Sequence, residues 1–311
     1  MMKMKTKNIT HLSEFYLLGV SDDPKLQPIL CGLFLSMYLI SVLGNLLIIL
    51  TVSSDSHLHT PMYFFISILS LADIGFISTT VPKLLLDLQI FKYSSISYVG
   101  CLTQMSFFVT FGCMDSMLLT VMAYDRFVAI CHPLYYTVIM NPCRCGILVL
   151  VSFSASLFDS LIHNFATLQL KCFKDVEIAN FFCHPSQLLN LACNNTFDNS
   201  MFTYVMGVIL GVFPLSGVLV SYFKIISSIL TITSAGGRYK AFSTCASHLT
   251  VVCLFYGTGL GEYFGSVLSN SSGNNVVASL MYSVVTPMLN PFIYSLRNQD
   301  ISRSLKRFHC C

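Results

Sequence analysis

Four ionisable side chains stand inside apolar runs: Asp73 in LHTPMYFFISILSLAD, Asp115 in CMDSMLLTVM, and the adjacent Asp125 and Arg126 in MAYDRFVAICHPLYY. In a chain with only 10% charged residues, such placement needs a chemical reason. Carboxylates in a low-dielectric setting hold a cation, take up a proton or pair with a base. An Arg beside an Asp can be neutralised by it in one arrangement and released to another partner in a second, which is what a two-state switch requires. An Arg whose head merely reaches lipid headgroups is the plainer reading of the same position. Covalent chemistry finds no support. The Ser, His and acidic residues form no nucleophile motif such as Gly-x-Ser-x-Gly, and Cys143 and Cys145 have no second ligand pair nearby for zinc. The chain is therefore not expected to be an enzyme.

Depth along the helices ties these residues together. At 1.5 Å per residue, Asp73 falls roughly 18 Å from a helix start at Pro61, and Asp115 roughly 16 Å from Arg126. The two carboxylates share a depth. Asn45 and Asn290 lie slightly shallower and complete a ring of polar oxygens. Two neighbouring anions in low dielectric repel unless one is protonated or a cation sits between them, and sodium suits an oxygen-lined site. Two separate helix-to-helix hydrogen bonds without an ion form the competing reading. No other cofactor is expected.

The elements that would position these groups are membrane spans. The chain has 311 residues, 54% hydrophobic and none of them Trp, with a mean hydropathy of +0.71. A soluble domain usually carries about 25% charged residues. Seven spans are read at 29–52, 61–82, 98–124, 146–163, 202–226, 241–262 and 276–296, each too long and continuously apolar for a barrel strand. The polar first 28 residues contain no apolar segment of the kind a cleaved leader has. Nothing basic is long enough to suggest nucleic-acid binding.

Orientation follows from Lys and Arg near the spans. With the N-terminus outside, the inner side holds Arg126, Arg144, Lys224, Arg238, Lys240, Arg297, Arg303, Lys306 and Arg307. The outer side holds Lys25, Lys83, Lys92, Lys171 and Lys174, once Lys3, Lys5 and Lys7 are set aside as too far from a span to count. The sequon Asn8-Ile9-Thr10 agrees with this side for the N-terminus, as do those at Asn194 and Asn270. The fold class expected is an all-α membrane protein, a seven-helix bundle with an extracellular N-terminus and a cytoplasmic C-terminus. It forms one domain over 1–311, with 1–28 outside, 164–201 as a long second outer loop and 297–311 as a cytoplasmic tail.

Of thirteen cysteines, Cys101, Cys172, Cys183 and Cys193 lie at or beyond the outer face, where two bridges and three pairings are open. Cys143, Cys145, Cys310 and Cys311 lie inside beside basic residues and suit S-acylation.

The motifs taken together resemble the olfactory (odorant) receptors, a branch of the rhodopsin-like G-protein-coupled receptors. The matching strings are GN at 44–45, LHTPMYFFISILSLAD at 58–73, MAYDRFVAICHPLYY at 122–136, SY at 221–222, KAFSTCASHL at 240–249 and PMLNPFIYSLRN at 287–298. The resemblance implies that Asp125 and Arg126 form the activation switch, with Tyr222, His248 and Tyr294 as inner-face partners. It implies a sodium-linked polar core of Asn45, Asp73, Asp115 and Asn290, although many relatives carry Glu at the position of Asp115. It also implies bridges Cys101–Cys183 and Cys172–Cys193 and glycosylation at Asn8.

The ligand pocket is expected in the outer half of the bundle. On the third span Met105, Phe108, Val109 and Gly112 share one helical face. By family resemblance they join Met206 and Leu210 on the fifth, Tyr256, Leu260 and Tyr263 on the sixth, and Leu280 and Ser283 on the seventh. Such walls, apolar with a few hydroxyls, suit a small volatile molecule. Tyr256 replaces the usual Trp as pocket floor. Phe108 stands where amine receptors place an Asp, which argues against an amine salt bridge. Glu262, near the outer end of the sixth span, is open to two readings: it favours a polar or basic ligand, or, as the more expected case, it sits at a wetted rim with little effect. The implied activity is odorant binding at the plasma membrane of olfactory cilia, with activation of a stimulatory heterotrimeric G protein and a rise in cAMP. A secondary transporter or ion channel using the buried carboxylates is the alternative, though no internal repeat or broken helix speaks for it.

Overall fold

The computed structural model describes residues 7–8, 14–21, 23–89, 94–170, 172–193, 197–231, 234–268, 272–297 and 299–308. Long helices account for most of them. They are α1 (Gln27–Ser54), α2 (Pro61–Gln89), α3 (Tyr98–Cys131), α4 (Pro142–Leu168), α5 (Phe197–Thr231) and α6 (Ala235–Leu268). The seventh, α7, runs as Ser272–Leu280, a π-helical turn at Met281–Val285 and Thr286–Arg297. A short α8, Gln299–Phe308, follows. Six helices, among the described residues, are long and apolar enough to cross a membrane; α6 is not among them, since its inner half reads KAFSTCASHL. The helices overrun the spans read from hydropathy because helical geometry continues past the apolar core until a breaker intervenes.

Local chemistry sets the ends. Ser97 accepts the Gly100 N–H at the start of α3, and Asn141 accepts the Arg144 N–H at the start of α4, where Pro142 follows directly. At the other end, α3 stops where His132 leaves helical geometry before Pro133. Each helix buries one stripe and gives the rest to lipid. On α1 the stripe is Phe34, Ser41, Asn45, Ile48 and Val52, while Leu33, Leu43 and Leu50 face outward. The α3 helix is the hub, packed against α2, α4, α5 and α6.

Close approach at the α3–α5 seam depends on Gly217. A Cβ there would lie 2.8 Å from Cγ2 of Thr120. Thr120 cannot simply turn away, because its hydroxyl donates to the carbonyls of Ser116 (3.1 Å) and Pro214 (2.9 Å). Gly217→Ala is expected to destabilise the bundle by about 1–2 kcal/mol through overpacking. Adding Thr120→Ser, which removes the clashing methyl and keeps the hydroxyl, should recover most of the loss, read as the thermal unfolding midpoint in detergent.

At the outer end the N-terminal segment is built into the loops. Strand β2 (Glu14–Leu17) pairs antiparallel with β3 (Ser94–Ser97) and parallel with β5 (Glu177–Ile178), while β1 (Lys7–Asn8) pairs with β4 (Cys172–Phe173). Phe15 is fully buried, edge-on to Phe173 with ring centroids 5.2 Å apart. Bridges join Cys101 to Cys183 and Cys172 to Cys193, with Cα separations of 5.5 and 5.4 Å. They fasten the long loop to the head of α3 and close it on itself. The side chain of Asn8, the other two sequons and Cys310–Cys311 lie outside the described residues.

Candidate functional site

Beneath the fastened loop lies a cavity of about 410 Å³. Phe108, Val109 and Gly112 of α3 form one wall; Gly207, Val208, Gly211, Val212 and Leu215 of α5 form another; and Phe255, Tyr256, Gly259 and Leu260 of α6 face them. Tyr282 reaches in from the π turn of α7, its ring 5.3 Å from that of Phe76 and 5.4 Å from that of Phe255. The extra residue of a π turn rotates side chains relative to a regular helix, and such turns recur at functional sites. At the floor the hydroxyls of Tyr256 and Ser116 lie 2.8 Å apart. Small glycine faces on α5 and α6 leave the room that the aromatic floor then bounds.

The lining is more polar than the sequence suggests. Asp159 and His163 of α4 border the cavity, with His163 Nδ1 3.1 Å from Asp159 Oδ1 and 3.0 Å from its carbonyl oxygen. His184 from the loop and Glu262 from α6 border it too, His184 Nε2 being 3.4 Å from Glu262 Oε1. Glu262 is 8% exposed, so the expected wetted rim is corrected: the loop that carries His184 covers it.

Below the floor, Asn290 donates to both carboxylate oxygens of Asp73, each at 3.0 Å. Asn45 donates to the carbonyls of Ser41 (3.0 Å) and Pro287 (3.4 Å). Among the described residues, Asp115 Oδ1, Asn45 Oδ1, Asn290 Oδ1 and Ser41 Oγ are buried without a hydrogen-bond partner. Buried polar atoms are rarely left so, and carboxylate and amide oxygens are donors of the type a hard cation takes, although no group of three or more acidic, His or Cys side chains is poised for a metal among the described residues.

At the inner end, Asp125 is fully buried and receives the Tyr136 hydroxyl at 2.8 Å. Arg126 Nη2 lies 3.4 Å from Asp125 Oδ2. Burial and the adjacent Asp125 carboxylate both push the Tyr136 phenol above its ordinary pKa, so it stays protonated as the donor. Nearby, His248 bridges α5 and α3: Nε2 is 3.0 Å from the Leu119 carbonyl, so it carries the proton, and Nδ1 accepts from the Tyr222 hydroxyl at 2.8 Å. Tyr294 is buried on the same side, its hydroxyl without a hydrogen-bond partner.

The helical arrangement matches the crystal structure of squid rhodopsin with a TM-score of 0.73, at 16% identity, over 93% of this chain and 86% of that one. The family model for olfactory receptors matches residues 34–311. The chain belongs to the olfactory receptor family. It is 67% identical to human (Homo sapiens) olfactory receptor 7E24 over 97% of this chain and 89% of the relative, and 65% identical to mouse (Mus musculus) olfactory receptor 7E178 over 98% and 92%. Human olfactory receptor 7D4 is 60% identical over 98% of this chain and 97% of its own length. As a member of this family, it is a multi-pass membrane receptor and not an enzyme.

Within the receptor, Phe108, Val109, Gly112, Tyr256 and Leu260 border the cavity, but three expected wall residues do not. Met105 is fully buried against Thr167 of α4, whose hydroxyl lies 3.9 Å from its sulfur, because a turn above Phe108 the helix face meets α4 and the loop. Leu280 packs into the cluster around Phe34 and Phe76. Ser283 spends its hydroxyl on the Ser279 carbonyl at 2.7 Å. The side chains of Met206, Leu210 and Tyr263 lie outside the described residues. Asp159 and His163, one turn apart within a span, carry in the sequence a signal of the same kind as Asp73 and Asp115. Tyr282 and His184 carried none.

His248 gives a stability prediction. His248→Phe leaves the Leu119 carbonyl and the Tyr222 hydroxyl without their imidazole partner, at a cost of about 1–3 kcal/mol for a buried unsatisfied group. Tyr222→Phe keeps the ring stacked on His248 at 5.7 Å and leaves the bond to Leu119 in place, losing the bond to His248 and the long one to the Cys245 carbonyl (3.5 Å), so its thermal midpoint should fall less.

Proposed function

We propose that this receptor binds small volatile molecules in the outer cavity and activates a stimulatory, olfactory-type G protein that raises cAMP, at the plasma membrane of olfactory cilia. The observation that carries the reading is that one helix holds both ends of the device. Phe108, Val109 and Gly112 of α3 border the cavity, and Asp125 and Arg126 stand at its inner end. A ligand favours whichever packing of α3, α5, α6 and α7 it binds more tightly, and its differential affinity is all it contributes. In the inactive arrangement Asp125, held by Tyr136, keeps Arg126 from the partner; in the active one Arg126 turns toward Tyr222, Tyr294 and the G protein. Met206, Leu210 and Tyr263 extend the ligand wall in this reading. The whole chain acts as one receptor domain, embedded in lipid.

Sodium belongs to the same proposal as an allosteric ligand of Asp73, Asp115, Asn45 and Asn290, steadying the inactive packing. Replacing sodium by choline should lower the agonist concentration needed for half-maximal response about tenfold, a typical size for coupling between sites. Asp115→Asn should remove the difference.

The reading is tested with an odorant panel on cells supplied with the stimulatory G protein. A ligand-evoked rise in cAMP supports it. Ligand-dependent uptake or current without any G protein would instead favour a transporter or channel.

A further inference from the structure

Glu262 is a carboxylate bordering a largely apolar ligand cavity, and its described neighbours, Ser279 and His184, both approach one of its two oxygens. Ser279 donates to Oε1 at 3.4 Å and is itself held by the Asn180 amide at 2.9 Å. The His184 ring is fixed from behind. Its Nδ1 lies 2.8 Å from the Ser186 hydroxyl and 3.3 Å from the Ser186 N–H, which turns Nε2 toward Glu262, 3.4 Å from Oε1. His184 follows Cys183, which is bridged to Cys101, so the loop cannot carry it away. Both described contacts use Oε1, and no Lys or Arg borders the cavity among the described residues.

Burying a carboxylate is costly unless a cation meets it. From these groups we infer that the receptor selects small organic amines with an apolar body, the ammonium group meeting Glu262 and the body filling the chamber toward Phe108, Phe255 and Tyr256. A primary aliphatic amine resembles the Lys side chain, whose unperturbed pKa is about 10.4, and arrives protonated. The aromatic rings add a cation–π component that a neutral isostere lacks. Phe108 occupies the α3 position that amine receptors give to an Asp, and the acid here comes from α6 instead. The inference departs from the expectation, drawn from α3 alone, that no amine salt bridge forms. Asp159, the other acid bordering the cavity among the described residues, is the more closely paired of the two, its Oδ1 3.1 Å from His163 Nδ1 against 3.4 Å between Glu262 and His184.

The inference rests on the receptor reading only for the cavity being the ligand site, and it is tested by binding without any G protein. The full chain, purified in nanodiscs, is titrated with a series of alkyl, cycloalkyl and arylalkyl amines and the alcohols of matching shape. Wild type is expected to bind at least one amine about tenfold or more tightly than its alcohol, the size expected when a desolvated charge keeps its partner. Glu262→Gln should abolish that preference while binding the alcohol within about threefold of wild type, which also shows that the variant is folded. Glu262→Asp should keep part of the preference. Equal binding of amine and alcohol by wild type, a preference that survives in Glu262→Gln, or no amine binding across the series would each overturn the inference. The two readings fail separately. Amine binding that never alters nucleotide exchange would sink the receptor proposal alone, whereas exchange driven by neutral odorants with no amine binding would sink this inference alone.

Discussion

Arg126→Ala is expected to abolish ligand-evoked cAMP while leaving ligand binding within about threefold of wild type. Arg126 is largely buried, its side chain 12% exposed, and its nearest described acid is Asp125 at 3.4 Å. The cavity residues lie several turns away on α3, so truncating Arg126 removes nothing the ligand touches. What it removes is the cation that the active packing presents to the partner. Losing one member of a desolvated charged contact costs about 2–5 kcal/mol, or roughly 30-fold to several thousand-fold in coupling. Asp125→Asn acts in the opposite direction. It takes away the charge that restrains Arg126 and weakens the acceptor for Tyr136, so basal cAMP should rise. Tyr136→Phe, which removes a single hydrogen bond, should raise it less. Dose-response curves with surface expression measured in parallel check all three, and an Arg126→Ala receptor that signals normally would refute the assigned role.

Cys101→Ser is expected to prevent delivery of folded receptor to the cell surface. The bridge to Cys183 closes a segment 82 residues long. In an unconstrained chain such a closure is worth about 4 kcal/mol; helices already inserted in the bilayer have less freedom to lose, so this is an upper figure. The larger consequence is positional. Cys183 is followed by His184, and the same stretch places Phe182 against Phe108 with centroids 4.7 Å apart. The Cys183 N–H is also accepted by Gln104 Oε1 at 3.0 Å. Without the bridge the cavity loses its roof as well as its tether. Cys172→Ser, which opens a loop spanning only 21 residues, should be milder. Surface labelling of tagged receptor separates the two.

What could be read in the sequence and what could not divide along a physical line. Asp73 and Asn290 were placed together by counting residues along helices, and the structure joins them by two hydrogen bonds, because rise per residue is nearly invariant. The same counting put Met105 and Phe108 on one face, and one turn decided that the first meets α4 and the second the cavity. Periodicity gives a face but not the neighbour it meets. The burial of Glu262 departs from the expected wetted rim for a related reason: it comes from a loop residue, His184, whose position depends on a disulfide and a small sheet. Strand β2, EFYL, is only four residues long and too short for a period to show; its pairing with β3 and β5 emerges only once those loops are folded. The π turn that directs Tyr282 inward likewise left no mark in a regular apolar run.

The claim that joins these observations is that occupancy of the outer cavity changes what the inner end of α3 offers to a G protein. The most direct measurement is nucleotide exchange on a purified stimulatory G protein mixed with the purified receptor, with and without a ligand shown to bind the cavity. Faster exchange with ligand, lost in Arg126→Ala at unchanged ligand affinity, is the result expected here. Exchange that stays at its basal rate while the cavity is saturated would contradict it.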